Sequence, residues 1–197
     1  MVAQTDQRHM TIEEWRALLD HSPDTKYEYI DGWIYLMAGG SLDHSDIAIN
    51  TLVALRTALD ERCWVRNSDA ATRLSPYRFT FPDVSVTCDE HDHGQIREVR
   101  SPRVIVEVLS EATEAYDRGD KFSFYQACNS VQEYVLIATR YQAVEVYRRT
   151  AQGWTAYQRY GPDDTVHLTS IDVHIPVSVF YRRTDVPRDL VGHTGEV

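Results

Sequence analysis

The sequence predicts an α/β fold in which a mixed β-sheet is flanked by α-helices. Three observations predict it: two buried-looking apolar runs at 104–109 and 133–138, a helical segment between them, and an Asp31-Gly32 turn between two aromatic-rich segments. Two strands separated by a helix are typical of a parallel pair with a crossover connection. With 197 residues, 43% hydrophobic and 25% charged, the chain is long enough to bury a core and ordinary in composition.

Hydrophobic periodicity predicts the individual elements, and capping and turn residues mark their ends. Thr11 and Glu14 have the capping-box spacing that begins a helix, and Ser110 is the expected N-cap of the helix between the two apolar runs. Residues 89–101 are polar and are expected to form a loop. The predicted helices are 11–19, 44–60 and 111–127, and the predicted strands are 26–30, 33–38, 64–74, 80–87, 104–109, 133–138, 143–148 and 154–160, with a strand or helical turn at 171–181.

The domain organisation is expected to be simple. No repeat, low-complexity segment or shift in composition divides the chain. We expect one domain over residues 11–184, between a flexible N-terminal tail at 1–10 and a C-terminal tail at 185–197.

Charge and cysteine content narrow the class of protein. The formal net charge of −10 argues against a broadly basic nucleic-acid-binding surface. Three widely spaced cysteines favour reduced thiols in a cytosolic protein over a disulfide framework. The N-terminus lacks the apolar core of a signal peptide, and no apolar run is long enough to span a bilayer. A soluble cytoplasmic protein without a membrane partner is expected.

Two acidic residues lie in strand-like surroundings. Asp83 follows Pro82, and Glu107 interrupts the run V-I-V-E-V-L. Because a lone ionised carboxylate is costly to bury, Glu107 needs a partner or a metal. Lys121, one of two lysines in a chain otherwise rich in arginine, lies on the helix that follows. Two carboxylates and an ammonium at one end of a sheet can hold Mg²⁺ or Mn²⁺, activate water and stabilise the charge on a scissile phosphate.

Several short segments, in a fixed order, have the pattern of a known family. They are T-I-E-E-W at 11–15, K-Y-E-Y-I-D-G at 26–32, His44 after a Gly/Ser turn, P-D-V-S-V at 82–86, V-I-V-E-V-L-S at 104–110, A-T at 112–113, D-R-G-D-K at 117–121, Tyr125, and V-Q-E-Y-V-L-I at 131–137. Together these segments extend over most of residues 11–181. With them the sequence resembles the PD-(D/E)XK nuclease superfamily, and most closely its Uma-two branch of restriction endonucleases.

The resemblance implies a restriction-endonuclease-like fold and an endonuclease that hydrolyses phosphodiester bonds in DNA with Mg²⁺ or Mn²⁺. It implies that Asp83 and Glu107 bind the metal, with the backbone carbonyl of Val108 as a third ligand. The superfamily lysine stands two residues after the second acid, where this chain has Leu109. The resemblance to the Uma-two branch therefore assigns the lysine's catalytic role to Lys121.

Three further residues are auxiliary candidates by the same resemblance. Glu28 matches the additional acid that often joins this site. Asp117 precedes Lys121 by four residues and shares its helix face. His44 could bind phosphate or transfer a proton. Double-stranded DNA is the implied partner, and a homodimer is expected because a double-strand cut needs two sites.

Each of these assignments has a purely structural alternative. The alternatives are capping of Asp83 by backbone amides, an ion pair of Glu107 with Arg103 or Arg73, an exposed salt bridge of Lys121 with Asp117, a cross-strand pair for Glu28 and a surface position for His44. At the level of function, one alternative is a catalytically inactive nuclease-fold module that binds nucleic acid or a protein. A two-carboxylate glycosidase, which would need no metal, is the other.

Three surface features remain open at this point. The late arginines could form a local basic stripe for nucleic acid, namely Arg140, Arg148, Arg149, Arg159, Arg182 and Arg183. The aromatics of the first hairpin could stack on bases, although packing in the core is the simpler account. The triad His91-Asp92-His93 is expected to be a solvated loop rather than a zinc site, because no further ligand lies at a suitable spacing.

Overall fold

The elements of the fold were obtained from a computed structural model, which describes residues 9–22, 24–37, 39–95 and 97–189. The helices are α1 (Ile12–His21), α2 (Leu42–Ala58), α3 (Glu114–Tyr116), α4 (Phe122–Ala127) and α5 (Val177–Phe180); a π-helical turn (Asp117–Lys121) joins α3 to α4, and a 3₁₀ turn covers Glu90–Asp92. The strands are β1 (Tyr27–Ile30), β2 (Trp33–Leu36), β3 (Trp64–Asn67), β4 (Ala71–Ser75), β5 (Arg78–Thr80), β6 (Val84–Thr87), β7 (Glu98–Val99), β8 (Val104–Val108), β9 (Glu133–Ile137), β10 (Val144–Thr150), β11 (Gly153–Trp154), β12 (Gln158–Tyr160), β13 (Thr165–Leu168) and β14 (Val173–Pro176).

The described strands form three sheets. The first has the order β2-β1-β5-β4-β7, and the second has the order β11-β10-β9-β8-β6-β3, with β12 also paired to β10. Strands β13 and β14 form a separate hairpin. The pairs β8–β9 and β4–β7 are parallel and the other pairs are antiparallel. The predicted α/β class with a mixed sheet and flanking helices is confirmed, and the crossover from β8 to β9 passes through α3 and α4 as expected.

The two faces of β8 are both covered, as its continuous apolar run predicts. Val104, Val106 and Val108 pack in a cluster that includes Ile47 and Leu55 of α2. On the opposite face, Ile105 and Leu109 pack in a second cluster with Tyr125 of α4. Glu107 alternates with the valines and therefore points toward the α4 side of the sheet.

Two predicted strands are each divided in the structure. The segment 64–74 breaks at a turn in which the Ala70 amide donates to the Asn67 carbonyl at 3.1 Å, so β3 joins the large sheet and β4 the smaller one. The segment 80–87 likewise separates into β5 and β6, which belong to different sheets. Phe81, Pro82 and Asp83 therefore connect the two sheets, an arrangement that the sequence alone did not predict.

The predicted helix 111–127 begins later than expected and is not uniform. Ser110 caps only a preceding turn, where its Oγ accepts from the Thr113 amide at 3.2 Å, and the helix begins at Glu114. The π-helical turn then inserts an extra residue between α3 and α4. Strand β13 and the short β7 were also not predicted.

The expectation of three reduced cysteines is wrong for two of them. Cys63 and Cys88 form a disulfide, and Cys128 is buried and free. The reason is the antiparallel register of β3 and β6, in which Trp64 faces Thr87, so that the next residue outward on each strand is a cysteine. Residues 25 apart in sequence give no sign of this juxtaposition.

The predicted tails fall largely outside the described residues, since 1–8 and 190–197 are not described. Of the remainder, the Met10 amide donates to the Gly32 carbonyl at 2.8 Å, and Val186 is buried in the large core cluster. None of the helices among the described residues is long and apolar enough to cross a membrane.

Candidate active site

Antiparallel pairing of β6 with β8 brings the two principal acids together. Val84 faces Val106, which places Asp83 opposite Glu107. The Asp83 amide donates to Glu107 Oε2 at 3.4 Å, and the Val108 amide donates to Asp83 Oδ2 at 2.8 Å. The predicted meeting of these side chains at one end of the sheet is therefore observed. Backbone-amide capping of Asp83, which was the structural alternative, occurs as well and holds the carboxylate in place.

Glu28 reaches the same place from the other sheet. It lies on β1 and is 1% exposed. Its Oε1 accepts from the Phe81 amide at 3.1 Å, just as Glu107 accepts from the Asp83 amide. The connection between the two sheets is thus held at both ends by carboxylates, and the site lies where the sheets meet.

Lys121 is surrounded by carboxylates. Its Nζ lies 2.9 Å from Glu107 Oε1, 3.2 Å from Glu28 Oε1 and 3.7 Å from Asp117 Oδ1. The side chain is 4% exposed, so the alternative of an exposed salt bridge with Asp117 is not observed. Asp117 and Lys121 delimit the π-helical turn, a local widening of the helix that is often found at functional sites.

His44 approaches Asp83 from the first turn of α2. Its Nε2 lies 3.3 Å from Asp83 Oδ2, and the ring also hydrogen-bonds the Val108 backbone. Ser41 caps the helix and accepts from the His44 amide at 3.2 Å. A Cβ on Gly40 would lie 2.6 Å from His44 Cγ, so a glycine is required beside the ring. The surface position that was the alternative for His44 is not observed.

The electrostatics of the cluster are dominated by burial and by an excess of acids. Burial raises the pKa of Glu107 to about 8, and Asp117, Asp83 and Glu28 add to this effect while Lys121 opposes it. Burial also raises the pKa of Asp117. Burial disfavours the charged form of Lys121, yet its carboxylate neighbours raise the pKa of this lysine well above the ordinary value. The lysine is therefore an ammonium ion at neutral pH.

His44 also gains a proton more readily than an isolated histidine. Burial lowers its pKa, but the hydrogen bond and the negative charge of Asp83, with the Val108 backbone, outweigh burial and raise the pKa overall. The Lys121 ammonium group thus faces the carboxylates of Glu28, Glu107 and Asp117, and the His44 imidazole faces that of Asp83.

Tyrosines complete the cluster, and no role had been predicted for them. The Tyr125 hydroxyl donates to Glu107 Oε1 at 2.6 Å, and the Tyr116 hydroxyl donates to Glu28 Oε2 at 3.5 Å. The Tyr134 hydroxyl donates to the Asp117 carbonyl at 3.0 Å. The one available signal was the spacing of four residues between Lys121 and Tyr125, which places both side chains on one helix face.

A pocket of about 70 Å³ opens onto the cluster, and its walls include Glu28, Asp83, Glu107 and Lys121. A wider surface groove of about 680 Å³ shares His44 and Asp83 with this pocket. Oxygen donors are what Mg²⁺ and Mn²⁺ prefer, so Asp83, Glu107 and the Val108 carbonyl form a chemically suitable set. The arrangement can bind a hard cation beside a fixed ammonium group.

The arginine partners considered for Glu107 are engaged elsewhere. Arg103 Nε donates to the Ser170 carbonyl at 2.9 Å, and Arg73 lies 3.5 Å from Glu98. Of the six arginines in the predicted basic stripe, Arg148 is paired with Glu133 and Arg149 donates to the carbonyl of Val131. These two are structural residues, which leaves less basic surface than the sequence suggested.

Two other features singled out in the sequence, the triad at 91–93 and the aromatics of the first hairpin, are explained largely by packing and hydrogen bonding. Asp92 is buried and accepts from the Ser101 amide at 3.0 Å, so the expectation of a solvated loop is wrong at this residue, and His93 packs on Trp64. In the first hairpin, Tyr29 packs against Trp15 with ring centroids 5.6 Å apart, whereas Trp33 is 39% exposed. Core packing accounts for the inward aromatic positions.

Comparisons with known proteins identify the family to which the chain belongs. The family model Uma2, described as "Putative restriction endonuclease", matches residues 12–178. Two uncharacterized proteins of Synechocystis sp. PCC 6803 are similar: slr1290 is 38% identical over 80% of this chain and 84% of its own length, and sll1609 is 27% identical over 75% and 86%.

A solved structure shows the same fold. It is the crystal structure of a "putative nuclease belonging to DUF820" from Anabaena variabilis, with a TM-score of 0.67 over 80% of this chain and 90% of that chain, at 18% identity. The likeness at this level of identity concerns the fold. With the match over residues 12–178 and the relative at 38% identity, the chain belongs to the Uma2 family of restriction-endonuclease-like proteins.

Proposed function

We propose that this protein is a divalent-metal-dependent endonuclease that hydrolyses phosphodiester bonds in DNA. The observation that carries the proposal is the convergence of three carboxylates, those of Glu28, Glu107 and Asp117, on a single buried lysine beside an open pocket. A fourth carboxylate, that of Asp83, lines the same pocket. Such an excess of negative charge favours a bound cation. The coarser assignment, a member of a nuclease-like family, supplies the phosphodiester as the substrate class.

Asp83, Glu107 and the Val108 carbonyl would hold Mg²⁺ or Mn²⁺. When bound, the metal would lower the pKa of a water molecule and neutralise charge on the scissile phosphate. The residues around it prepare this position: the Val108 amide fixes Asp83, and Tyr125 fixes Glu107. Fixed ligands lose little conformational freedom on binding, which favours tight and correctly placed coordination.

Lys121 is proposed to orient the attacking water and to stabilise negative charge on the phosphate in the transition state. Glu28 and Asp117 hold its ammonium group between them at 3.2 and 3.7 Å. Glu28 also lines the pocket and is the proposed auxiliary acid. His44, when protonated beside Asp83, is in a position to donate a proton or to contact a phosphate oxygen.

Double-stranded DNA is the proposed substrate, and a homodimer is the proposed assembly for a cut in both strands. The net charge of −10 predicts that DNA binding is weak and strongly salt-dependent. Binding would depend on the local field of the metal and of the exposed arginines rather than on overall charge.

The test is nicking of supercoiled plasmid by wild type and by Asp83→Ala, with Mg²⁺ or Mn²⁺ and with a chelator. We expect wild type to nick only with metal and Asp83→Ala to be inactive. Asp163→Ala is the matched control, since it removes a surface carboxylate that pairs only with Arg188 among the contacts of the described chain. Equal nicking by wild type and Asp83→Ala would refute the assignment.

The inactive nuclease-fold module remains the alternative outcome. Calorimetric titration with Mg²⁺ separates the two cases. Binding that is present in wild type and lost in Asp83→Ala supports the metal site, whereas absence of binding in both proteins supports the inactive module.

A further inference from the structure

The hairpin of β13 and β14 carries a second cluster of metal-ligating side chains. His167 faces His174 across the two strands, and their rings stack with centroids 3.9 Å apart and planes at 11°. Asp172 Oδ1 lies 3.7 Å from His167 Nε2. One ligand atom from each of the three residues lies within 4.8 Å of the others. No step of the proposed nuclease reaction uses these residues.

One buried nitrogen atom of the cluster has no hydrogen-bond partner among the described residues. This atom is His167 Nε2. Buried polar atoms in native proteins nearly always have a partner, either in the protein or in a bound water or ion. This nitrogen faces Asp172, and His174 stacks on the same ring, so a ligand that satisfies it would contact both neighbours.

The backbone around the cluster is held rigidly. Glu133 accepts from the amides of Thr169 and Ser170, each at 3.0 Å. Arg148 donates to the His167 carbonyl at 2.6 Å. Asp172 has a φ of 52°, in the left-handed region that aspartate tolerates better than most residues. The two histidines and the aspartate are therefore presented by a pre-organised turn, which reduces the cost of assembling a site.

The cluster lies at the opposite end of the sheet from the carboxylate pocket. The turn that carries the cluster is hydrogen-bonded to Glu133 through the Thr169 amide. In the parallel pair of β8 and β9, Glu133 faces Val104 at the start of β8, whereas Glu107 faces Leu136 further along the strands. Three residues of strand separate these positions, roughly 10 Å at the usual rise. The residues of the cluster are not among those that line the carboxylate pocket. The two sets of ligands are therefore independent.

We propose that His167, His174 and Asp172 form a binding site for a borderline transition-metal cation, with Zn²⁺ as the preferred ion and water as the fourth ligand. Two imidazole nitrogens and one carboxylate oxygen are a common zinc donor set, and imidazole selects Zn²⁺, Co²⁺ or Ni²⁺ over Mg²⁺. Zinc–nitrogen bonds of roughly 2 Å require the ligands to move somewhat closer together. His174 and Asp172 are exposed and free to make that adjustment.

The test is calorimetric titration of the full chain with Zn²⁺, in wild type and in His174→Gln. We expect one zinc ion to bind through these residues in wild type and the variant to bind it at least about tenfold more weakly, as even the loss of a supporting residue has such effects. In wild type, Zn²⁺ should raise Tm and shift the imidazole NMR signals of His167 and His174. Mg²⁺ should do neither at this hairpin.

His91→Gln is the matched control. His91 is exposed and its Nδ1 lies 2.9 Å from Asp89, yet within the described chain it belongs to no group of three residues that could hold a metal ion. Zinc affinity should be unchanged in this variant. If His174→Gln fails to fold, Asp172→Asn replaces it, because that side chain is 93% exposed. Equal zinc affinity in wild type and the hairpin variants, or an equal loss in His91→Gln, would overturn the proposal.

Discussion

Glu107 and Glu133 lie on adjacent parallel strands and are both almost completely buried, yet their surroundings differ. Glu133 is 1% exposed and pairs with Arg148 at 3.1 Å. Its oxygens also accept from the amides and hydroxyls of Thr169 and Ser170. Every hydrogen-bonding direction of this carboxylate is occupied, and one positive charge balances one negative charge.

Glu107 is 3% exposed, but its charge is not balanced in this way. It shares Lys121 with Glu28 and Asp117, and Asp83 adds a further acid nearby. A pocket opens beside Glu107, whereas Glu133 is closed off by the turn that follows β13. The comparison teaches that burial of a glutamate does not by itself mark a functional site. In this chain the two glutamates differ instead in the number of carboxylates relative to the cations and hydrogen-bond donors around them.

The largest expected effect is on catalysis, from removing the charge of Glu107. Glu107→Gln should lower the rate of metal-dependent plasmid nicking by at least about 10³-fold, because a metal ion contributes several kcal/mol of transition-state stabilisation. At neutral pH the metal-free variant should be about as stable as wild type, because burial raises the pKa of Glu107 to about 8 and glutamine then replaces a largely neutral group, while Glu28 and Asp117 still balance Lys121. Nicking rates and urea denaturation of the same preparations measure both quantities. A variant that loses stability and keeps activity would contradict the contrast with Glu133.

The same substitution at Glu133, whose charge is balanced by Arg148, should lower stability and leave activity unchanged. Glu133→Gln should lower the free energy of unfolding by about 3 kcal/mol, because an amide nitrogen would then face the donors of Ser170 and Arg148 would lose its counter-charge. Nicking per folded molecule should not change at low temperature. Urea denaturation measures the loss, with the exposed Glu61→Gln as the control expected to stay within about 0.5 kcal/mol of wild type. A large loss of activity in folded Glu133→Gln would show that the two glutamates are functionally connected.

The sequence could predict this fold well and the site only in part. Apolar runs identified β8 and β9, the Asp31-Gly32 turn identified the first hairpin, and the capping box at Thr11 is present as expected. Local patterns of this kind depend on neighbouring residues and are therefore readable from one sequence. The junction between the sheets at Phe81–Asp83 depends on which distant strands pair, so it was missed.

Glu107 and Glu133 show why the site could not be derived from strand pattern alone. Glu107 interrupts one apolar run and Glu133 begins the other, and nothing adjacent to either residue indicates which of the two charges is balanced. The donors of Glu133 lie 36 and 37 residues away in a turn, and those of Glu107 lie 14 and 18 residues away on a helix. The family resemblance identified the acids and Lys121, whereas the π-helical turn and the tyrosine hydroxyls became visible only in three dimensions.

The smallest expected effect, counted per pH unit, is on the pH dependence of stability in the metal-free protein. Burial raises the pKa of Glu107 to about 8, so between its ordinary value and pH 8 the native chain keeps a proton that the unfolded chain releases. The free energy of unfolding should therefore fall as pH rises through this range, by at most about 1.4 kcal/mol per pH unit from this group. The raised pKa values of Asp117 and His44 act in the same direction. Glu107→Gln should consequently show a smaller decrease than wild type, measured by urea denaturation with a chelator at several pH values. Identical slopes in the two proteins would mean that Glu107 is already ionised in the native state. The contrast drawn here between the surroundings of Glu107 and those of Glu133 would then be wrong.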